Sequence, residues 1–139
     1  MIGYSGPRRH AQNAPDAVTV ADGPLTIATF TEGGVHSTGF IDTAGKFLAT
    51  YGWFESRVRF ESSPGEWGAF WLQSPTMGTP VDDVGSAGVS HRPEFIKLTY
   101  EVRDASWAGA IPAGGYGPRG RSTTRMRVDW VRVWQATRP

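Results

Sequence analysis

Apolar and polar side chains alternate along several short runs of this chain, and the clearest run covers residues 51–60. Within it, Phe54, Val58 and Phe60 share one side, whereas Trp53 lies with charged neighbours on the other. A period of two is the pattern of a β-strand with one buried side and one solvent-facing side. This part of the chain is therefore predicted to form a half-buried strand.

The same alternation recurs at residues 25–30, 68–73, 94–102 and 125–135. Turns rich in glycine and proline separate the runs, and the 139 residues include 18 Gly and 10 Pro. Such a series of short strands predicts an all-β fold, an antiparallel β-sandwich of two sheets in a single domain spanning the whole chain. Residues 1–16, which are polar and rich in Pro, Arg and Asn, are predicted to be an irregular arm.

Charge and cysteine content exclude several classes of function. The formal net charge of +1 gives no electrostatic case for binding nucleic acid, and the absence of cysteine excludes a disulfide framework and a thiolate nucleophile. Five arginines between Arg119 and Arg132 are interpreted as a solvated, partly ion-paired surface. Because His10, His36 and His91 lack the spacing of metal ligands, we predict no metal and no cofactor.

No run of residues is long and apolar enough to span a membrane, so we expect no membrane partner. Residues 1–12 also lack the apolar centre of a signal peptide. The sequence therefore leaves the compartment open.

Five segments carry motifs that are informative in combination. In order along the chain they are NAPDAVTVADGPLTIATF, HSTGFIDTAGKFLATYGWFESRVRFE, GEWGAFWLQSP, PEFIKLTYEVRDASWAGAIPAGGYG and RMRVDWVRVWQ. Together they resemble glycoside hydrolase family 16, the family of laminarinases and related β-glucanases. The resemblance implies a concanavalin A-like jelly roll and a family whose members are usually secreted.

One motif of that family is missing. In family 16 a Glu-x-Asp-x-x-Glu strand carries the nucleophile and the general acid, and no such string occurs in this chain. The sequence instead passes from Val89 to Ser90 and into segments that resemble the last third of the family. We therefore predict a truncated domain with an internal deletion near residues 89–90.

No neighbouring pair of carboxylates replaces the missing strand. Retaining glycoside hydrolysis needs two carboxyl groups roughly 5 to 5.5 Å apart. Asp82 and Asp83 are adjacent and would point to opposite sides of a strand. We therefore assign no catalytic residue; the only candidates are Glu55 and Glu101, if they meet across the concave sheet. Glu66, in the loop before the next strand, is expected to be exposed.

The resemblance also implies a sugar-binding surface. Sugars stack their CH faces on aromatic rings, and their hydroxyl groups pair with amides, carboxylates or guanidinium groups. The predicted substrate-binding residues are Asn13, Trp67, Trp71, Gln73, Thr99, Glu101 and Trp107. In the alternative interpretation, Trp71 and Trp107 only pack against a sheet edge or a loop.

Three hypotheses about function follow. The first is a non-catalytic family 16 relative that binds a β-glucan or a similar polysaccharide. The second is an active β-glucan endo-hydrolase that uses other carboxylates, and the third is a structural, deletion-derived oligomer without a sugar partner. Because lost central strands would leave open sheet edges, we also predict a homo-oligomer, most simply a dimer formed by strand pairing or exchange.

Overall fold

A computed structural model describes residues 5–77, 90–105 and 107–136. Within these ranges the chain forms one short 3-10 helix at Pro15–Ala17 and eleven β-strands. The strands are β1 (Gly6–Arg8), β2 (Ala11–Asn13), β3 (Val18–Val20), β4 (Leu25–Ala28), β5 (Phe30–Glu32), β6 (Val35–Thr38), β7 (Phe40–Asp42), β8 (Trp53–Glu61), β9 (Glu66–Gln73), β10 (Phe95–Val102) and β11 (Arg125–Trp134). The predicted all-β class is confirmed. The predicted junction at Val89 and the adjacent Asp82 and Asp83 lie outside the described residues.

The strands form two layers and a third sheet of short strands. One layer has the strand order β7-β10-β9, and we call it the β10 sheet. The other has the order β3-β4-β11-β8, and we call it the β11 sheet. The third sheet, β1-β2-β6-β5, adjoins both layers because β4 leads almost directly into β5 and β6 into β7. All strand pairs are antiparallel among the described residues except β2 with β6.

The main core lies between the β10 sheet and the β11 sheet. Its buried cluster consists of Ile27 on β4, Met126 and Val128 on β11, and Leu98 and Tyr100 on β10. Burying each such side chain contributes roughly 1.5 to 3 kcal/mol relative to leaving it in water. Since the core takes the even-numbered side chains of β10, the odd-numbered ones point to the other side of the sheet.

The start of the chain is more regular than the irregular arm predicted for residues 1–16. There β1 and β2 form an antiparallel hairpin, and β2 also pairs with β6. Ala11 packs against Val102 and Tyr116 in a second small core. Because β2 buries only Ala11 and Asn13, the hairpin lacks the apolar alternation that reveals the longer strands.

The helix at Pro15–Ala17 has three residues. No helix in the described part of the chain is long and apolar enough to cross a membrane.

Candidate functional site

The candidate site is the side of the β10 sheet that points away from the core. Four side chains of β10 lie there, and residues directly opposite them in register on β7 and β9 extend the surface. We call this surface the β10 face; it comprises Phe40, Asp42, Trp67, Ala69, Trp71, Gln73, Phe95, Lys97, Thr99 and Glu101. Five residues predicted to bind sugar therefore share one side of one sheet.

Glu101 anchors one end of the β10 face, and its side chain is 7% exposed. Arg8 donates to Oε1 of Glu101 through Nε at 3.1 Å and through Nη2 at 2.6 Å. Arg9 donates to Oε2 of Glu101 through Nε. The β1–β2 hairpin carries both arginines, so this ion pair attaches the hairpin to the edge of the candidate site.

Two tryptophans lie beside this anchor. The ring centroids of Trp67 and Trp107 are 4.6 Å apart in an edge-to-face arrangement. The guanidinium carbon of Arg9 lies 5.2 Å from the centre of the Trp67 ring. Trp107 comes from the loop after β10, and a hydrogen bond of 2.7 Å from Gly65 N to Ala108 O holds that loop. Trp107 therefore reaches the face from outside the sheet.

Lys97 occupies the other end of the β10 face. Its ammonium nitrogen lies 4.9 Å from the Trp71 ring, 5.1 Å from the Phe40 ring and 5.8 Å from the Phe95 ring. It donates a hydrogen bond of 3.0 Å to Oε1 of Gln73. This end of the face is a cation surrounded by three aromatic rings.

Burial lowers the pKa of Lys97 from its ordinary value, because removal from water disfavours the charged form. The positive charge of Arg8 lowers the same pKa further, while Asp42 and Glu101 act in the opposite direction. Between the two ends, Trp71 Nε1 donates to Thr99 Oγ1 at 3.2 Å. This bond positions the indole ring against the sheet.

Two other predicted residues do not lie on the β10 face. Asn13 is buried at the end of β2, on the same side of the strand as Ala11, and its Nδ2 has no hydrogen-bond partner among the described residues. Glu55 is exposed on β8 in the β11 sheet, opposite Arg132. The structure therefore does not bring Glu55 and Glu101 together.

Solved structures share this arrangement of strands. A laminarinase from Flavobacterium sp. UMI-01 has a TM-score of 0.68 at 15% identity, with 91% of this chain and 85% of that chain covered. The Bacteroides ovatus mixed linkage glucan GH16 protein, solved with a product, has a TM-score of 0.69 at 12% identity over 90% and 88% of the two chains. The laminarinase catalytic domain from Thermotoga maritima MSB8 has a TM-score of 0.63 at 15% identity over 94% and 84%.

The chain has the fold of glycoside hydrolase family 16. In sequence, it is 32% identical over 78 residues to the endo-1,3-1,4-beta-glycanase EglC of Rhizobium meliloti strain 1021. That match involves 50% of this chain but spans only 17% of the length of the curated relative. No family model matches the chain.

Within this family 16 fold, the two carboxylates of the described β10 face already have partners. Asp42 lies directly opposite Lys97, which is four residues from Glu101 along β10. Arginines engage both oxygens of Glu101, and Asp42 Oδ1 accepts a hydrogen bond from Ala44 N.

Glu66 is buried, contrary to the exposed position predicted for it. It begins β9 and is 5% exposed, with Thr29 Oγ1 donating to its Oε1. Its Oε2 has no hydrogen-bond partner among the described residues. Burial raises the pKa of Glu66 to about 7, and the hydroxyl groups of Thr29 and Tyr100 offset only part of this effect. Because Glu66 alternates with Trp67, its carboxyl group lies on the core side of the sheet, away from the β10 face.

No group of three or more His, Cys, Asp or Glu side chains among the described residues could hold a metal ion. The described β10 face offers aromatic rings for stacking and polar and charged side chains for hydrogen bonding and charge pairing.

Proposed function

We propose that this chain is a non-catalytic relative of the family 16 hydrolases that binds a β-glucan or a similar polysaccharide on the β10 face. The observation that carries the proposal is the alignment of Trp67, Trp71 and Trp107 along one surface. Sugar rings stack on such aromatic groups. Among the described residues, the side chain of Gln73 uses only its Oε1, which accepts a hydrogen bond from Lys97. Its amide N–H groups can therefore donate to a sugar hydroxyl.

The known proteins that resemble this chain support the choice of ligand class. Two of the similar solved structures are laminarinases, and a third is a mixed linkage glucan protein solved with a product. The curated relative is an endo-1,3-1,4-beta-glycanase. We therefore take a β-linked glucan as the reference ligand for this chain.

The proposed absence of catalysis rests on the carboxylates. Both oxygens of Glu101 are engaged by arginines, and Asp42 Oδ1 accepts a hydrogen bond from Ala44 N. No Glu-x-Asp-x-x-Glu string occurs in the sequence. We attribute this to an internal deletion near residues 89–90.

Trp71→Ala and Trp107→Ala are each expected to weaken polysaccharide binding roughly fivefold or more, because each removes about 1 kcal/mol or more of stacking. The measurement is affinity electrophoresis in gels that contain laminarin, lichenan or agarose. The matched control is Trp134→Ala, because Trp134 lies on the β11 sheet, away from the β10 face. Its exposed fraction of 57% is similar to the 64% of Trp107. This control is expected to migrate like the unmodified protein.

Unchanged mobility in every gel would contradict the binding proposal and leave the structural hypothesis. Release of reducing sugar from any of the three polysaccharides would contradict the non-catalytic part. If Glu101→Gln, but not Glu55→Gln, abolished that release in a folded protein, the active endo-hydrolase would become the better account.

We further propose that two copies of the chain associate through open sheet edges. β8 ends the β11 sheet and β9 ends the β10 sheet, and no other strand among the described residues pairs with their free sides. Such edges are ready partners for strand pairing, and Phe60 on β8 is 46% exposed. Sedimentation equilibrium is expected to give twice the mass of the chain, with a melting temperature that rises with protein concentration. A monomer mass together with a cooperative, concentration-independent melt would refute this.

A further inference from the structure

Among the described residues, positive groups outnumber negative ones on and around the β10 face. The positive groups are Lys97 and, from the hairpin, Arg8 and Arg9; the negative groups are Glu101 and Asp42. Glu101 is 7% exposed, whereas Arg8 and Arg9 are 35% and 37% exposed. The buried anion thus lies beneath two arginines, and the charge presented to solvent at this end is positive.

Arg9 retains hydrogen-bond donors for a ligand. It binds Glu101 through Nε, and its two terminal nitrogen atoms donate to no acceptor among the described residues. A guanidinium group has five N–H donors in a planar fork that matches the oxygens of a carboxylate or a similar anion. Because Arg9 lies over the Trp67 ring, an acidic sugar stacked beside Trp67 would bring its anionic group to these donors.

Lys97 also has no ion-pair partner in the part of the chain that the structure describes. No carboxylate in the described ranges lies within ion-pair distance of its Nζ, which donates only to Gln73. Asp42 lies opposite Lys97, but its Oδ1 accepts a hydrogen bond of 3.1 Å from Ala44 N. A half-buried cation without a carboxylate partner is costly, so an anion supplied by a ligand would be favourable here.

We propose that the polysaccharide bound on the β10 face is acidic and carries carboxylate or sulfate groups on its sugar rings. This inference rests on the function proposed above and specifies the class of ligand. Arg9 lies with Trp67 and Lys97 lies with Trp71, so each end of the face combines a stacking ring with a cation. The two ends are four residues apart along β9, roughly 13 Å, so one extended acidic chain would contact both.

The test compares laminarin with carboxymethyl-laminarin, which has the same backbone and added carboxylates, by isothermal titration calorimetry. We expect the carboxymethylated polymer to bind about tenfold more tightly at low salt, and we expect added salt to remove this advantage. Lys97→Gln and Arg9→Gln are each expected to lower the affinity for carboxymethyl-laminarin several-fold more than the affinity for laminarin, so that most of the advantage is lost. A thermal melt of each variant checks that it is folded, and Lys97→Gln keeps the test valid if Arg9→Gln loosens the hairpin.

The matched control removes charge from the opposite side of the sandwich. Arg57 and Arg59 are exposed on β8 in the β11 sheet, so the double variant Arg57→Gln/Arg59→Gln is expected to keep the preference for the acidic polymer. Loss of the preference in this control, or equally tight binding of a single-stranded oligonucleotide, would indicate unspecific affinity for polyanions and overturn the inference. Equal affinity for the two laminarins would overturn the inference but leave the proposed function intact. No binding of either polymer would overturn both.

Discussion

Glu66→Gln is expected to remove most of the change in folding stability that the unmodified protein shows between pH 4.5 and pH 7. Burial raises the pKa of Glu66 from an ordinary value of 4.5 to about 7, so the folded protein retains a proton that the unfolded chain releases. The native state binds more protons in this window, and the free energy of unfolding therefore falls as the pH rises. This stabilisation is fully present below pH 4.5, the ordinary pKa, and is lost above about pH 7, the pKa in the folded protein. The gap between the two values corresponds to about 3 kcal/mol.

Urea denaturation of both proteins across this pH range provides the measurement. Glu55→Gln serves as the control, because Glu55 is exposed on β8 and its replacement removes the same charge without changing a buried group. This control is expected to keep the slope of the unmodified protein. If the unmodified protein were equally stable below pH 4.5 and above pH 7, or if Glu66→Gln kept the slope, a buried protonated carboxyl group would be ruled out.

Gly65→Ala is expected to destabilise the protein by about 3 kcal/mol or more. Gly65 has a φ of +79°, and a methyl group there would lie 2.8 Å from the Cα of Ile111 and 2.9 Å from its backbone nitrogen. Backbone atoms cannot move aside as the end of a flexible side chain can. The strand after Gly65 and the loop that carries Trp107 would have to separate, which would also change tryptophan fluorescence.

Gly34→Ala separates the cost of the left-handed backbone conformation from the cost of the contact with Ile111. Gly34 has the same φ of +79°, but a methyl group there would meet nothing within 4 Å. Its replacement is therefore expected to cost only about 1 to 2 kcal/mol, from the left-handed backbone conformation alone. Both variants are compared with the unmodified protein by urea denaturation. Equal losses would show that the contact with Ile111 does not constrain the fold.

The strand pattern and the shared face could be predicted from the sequence because both depend on a period of two. The period of two puts Trp71 and Gln73 on one side of β9; Trp67, which the family resemblance indicated, lies on that same side because β9 begins earlier than the predicted run. The same rule puts Glu66 on the core side, and its burial was missed because a carboxyl group beside a turn was assumed to face water. The register predicts the burial correctly, and the core tolerates Glu66 because burial raises its pKa and so favours the neutral acid.

The partners of Glu101 could not be predicted in this way. Arg8 and Arg9 lie 93 and 92 residues before it in the chain, and periodicity carries no information about ion pairs across such a distance. The aromatic surroundings of Lys97 were missed for a similar reason. Its three neighbouring rings come from three strands, and only the pairing of β7, β10 and β9 brings them together.

The strand order also has a consequence for folding during synthesis. β10 lies between β7 and β9 in one layer, and β11, the last strand, lies between β4 and β8 in the other. The β10 sheet cannot close before Val102 has been made, nor the β11 sheet before Trp134, and such distant pairings make folding slow. The hairpin with Arg8 and Arg9 is made before β10 and has no acceptor until β10 follows. The growing chain therefore exposes its aromatic strands until β10 and β11 have been made, which makes it a candidate for chaperone capture.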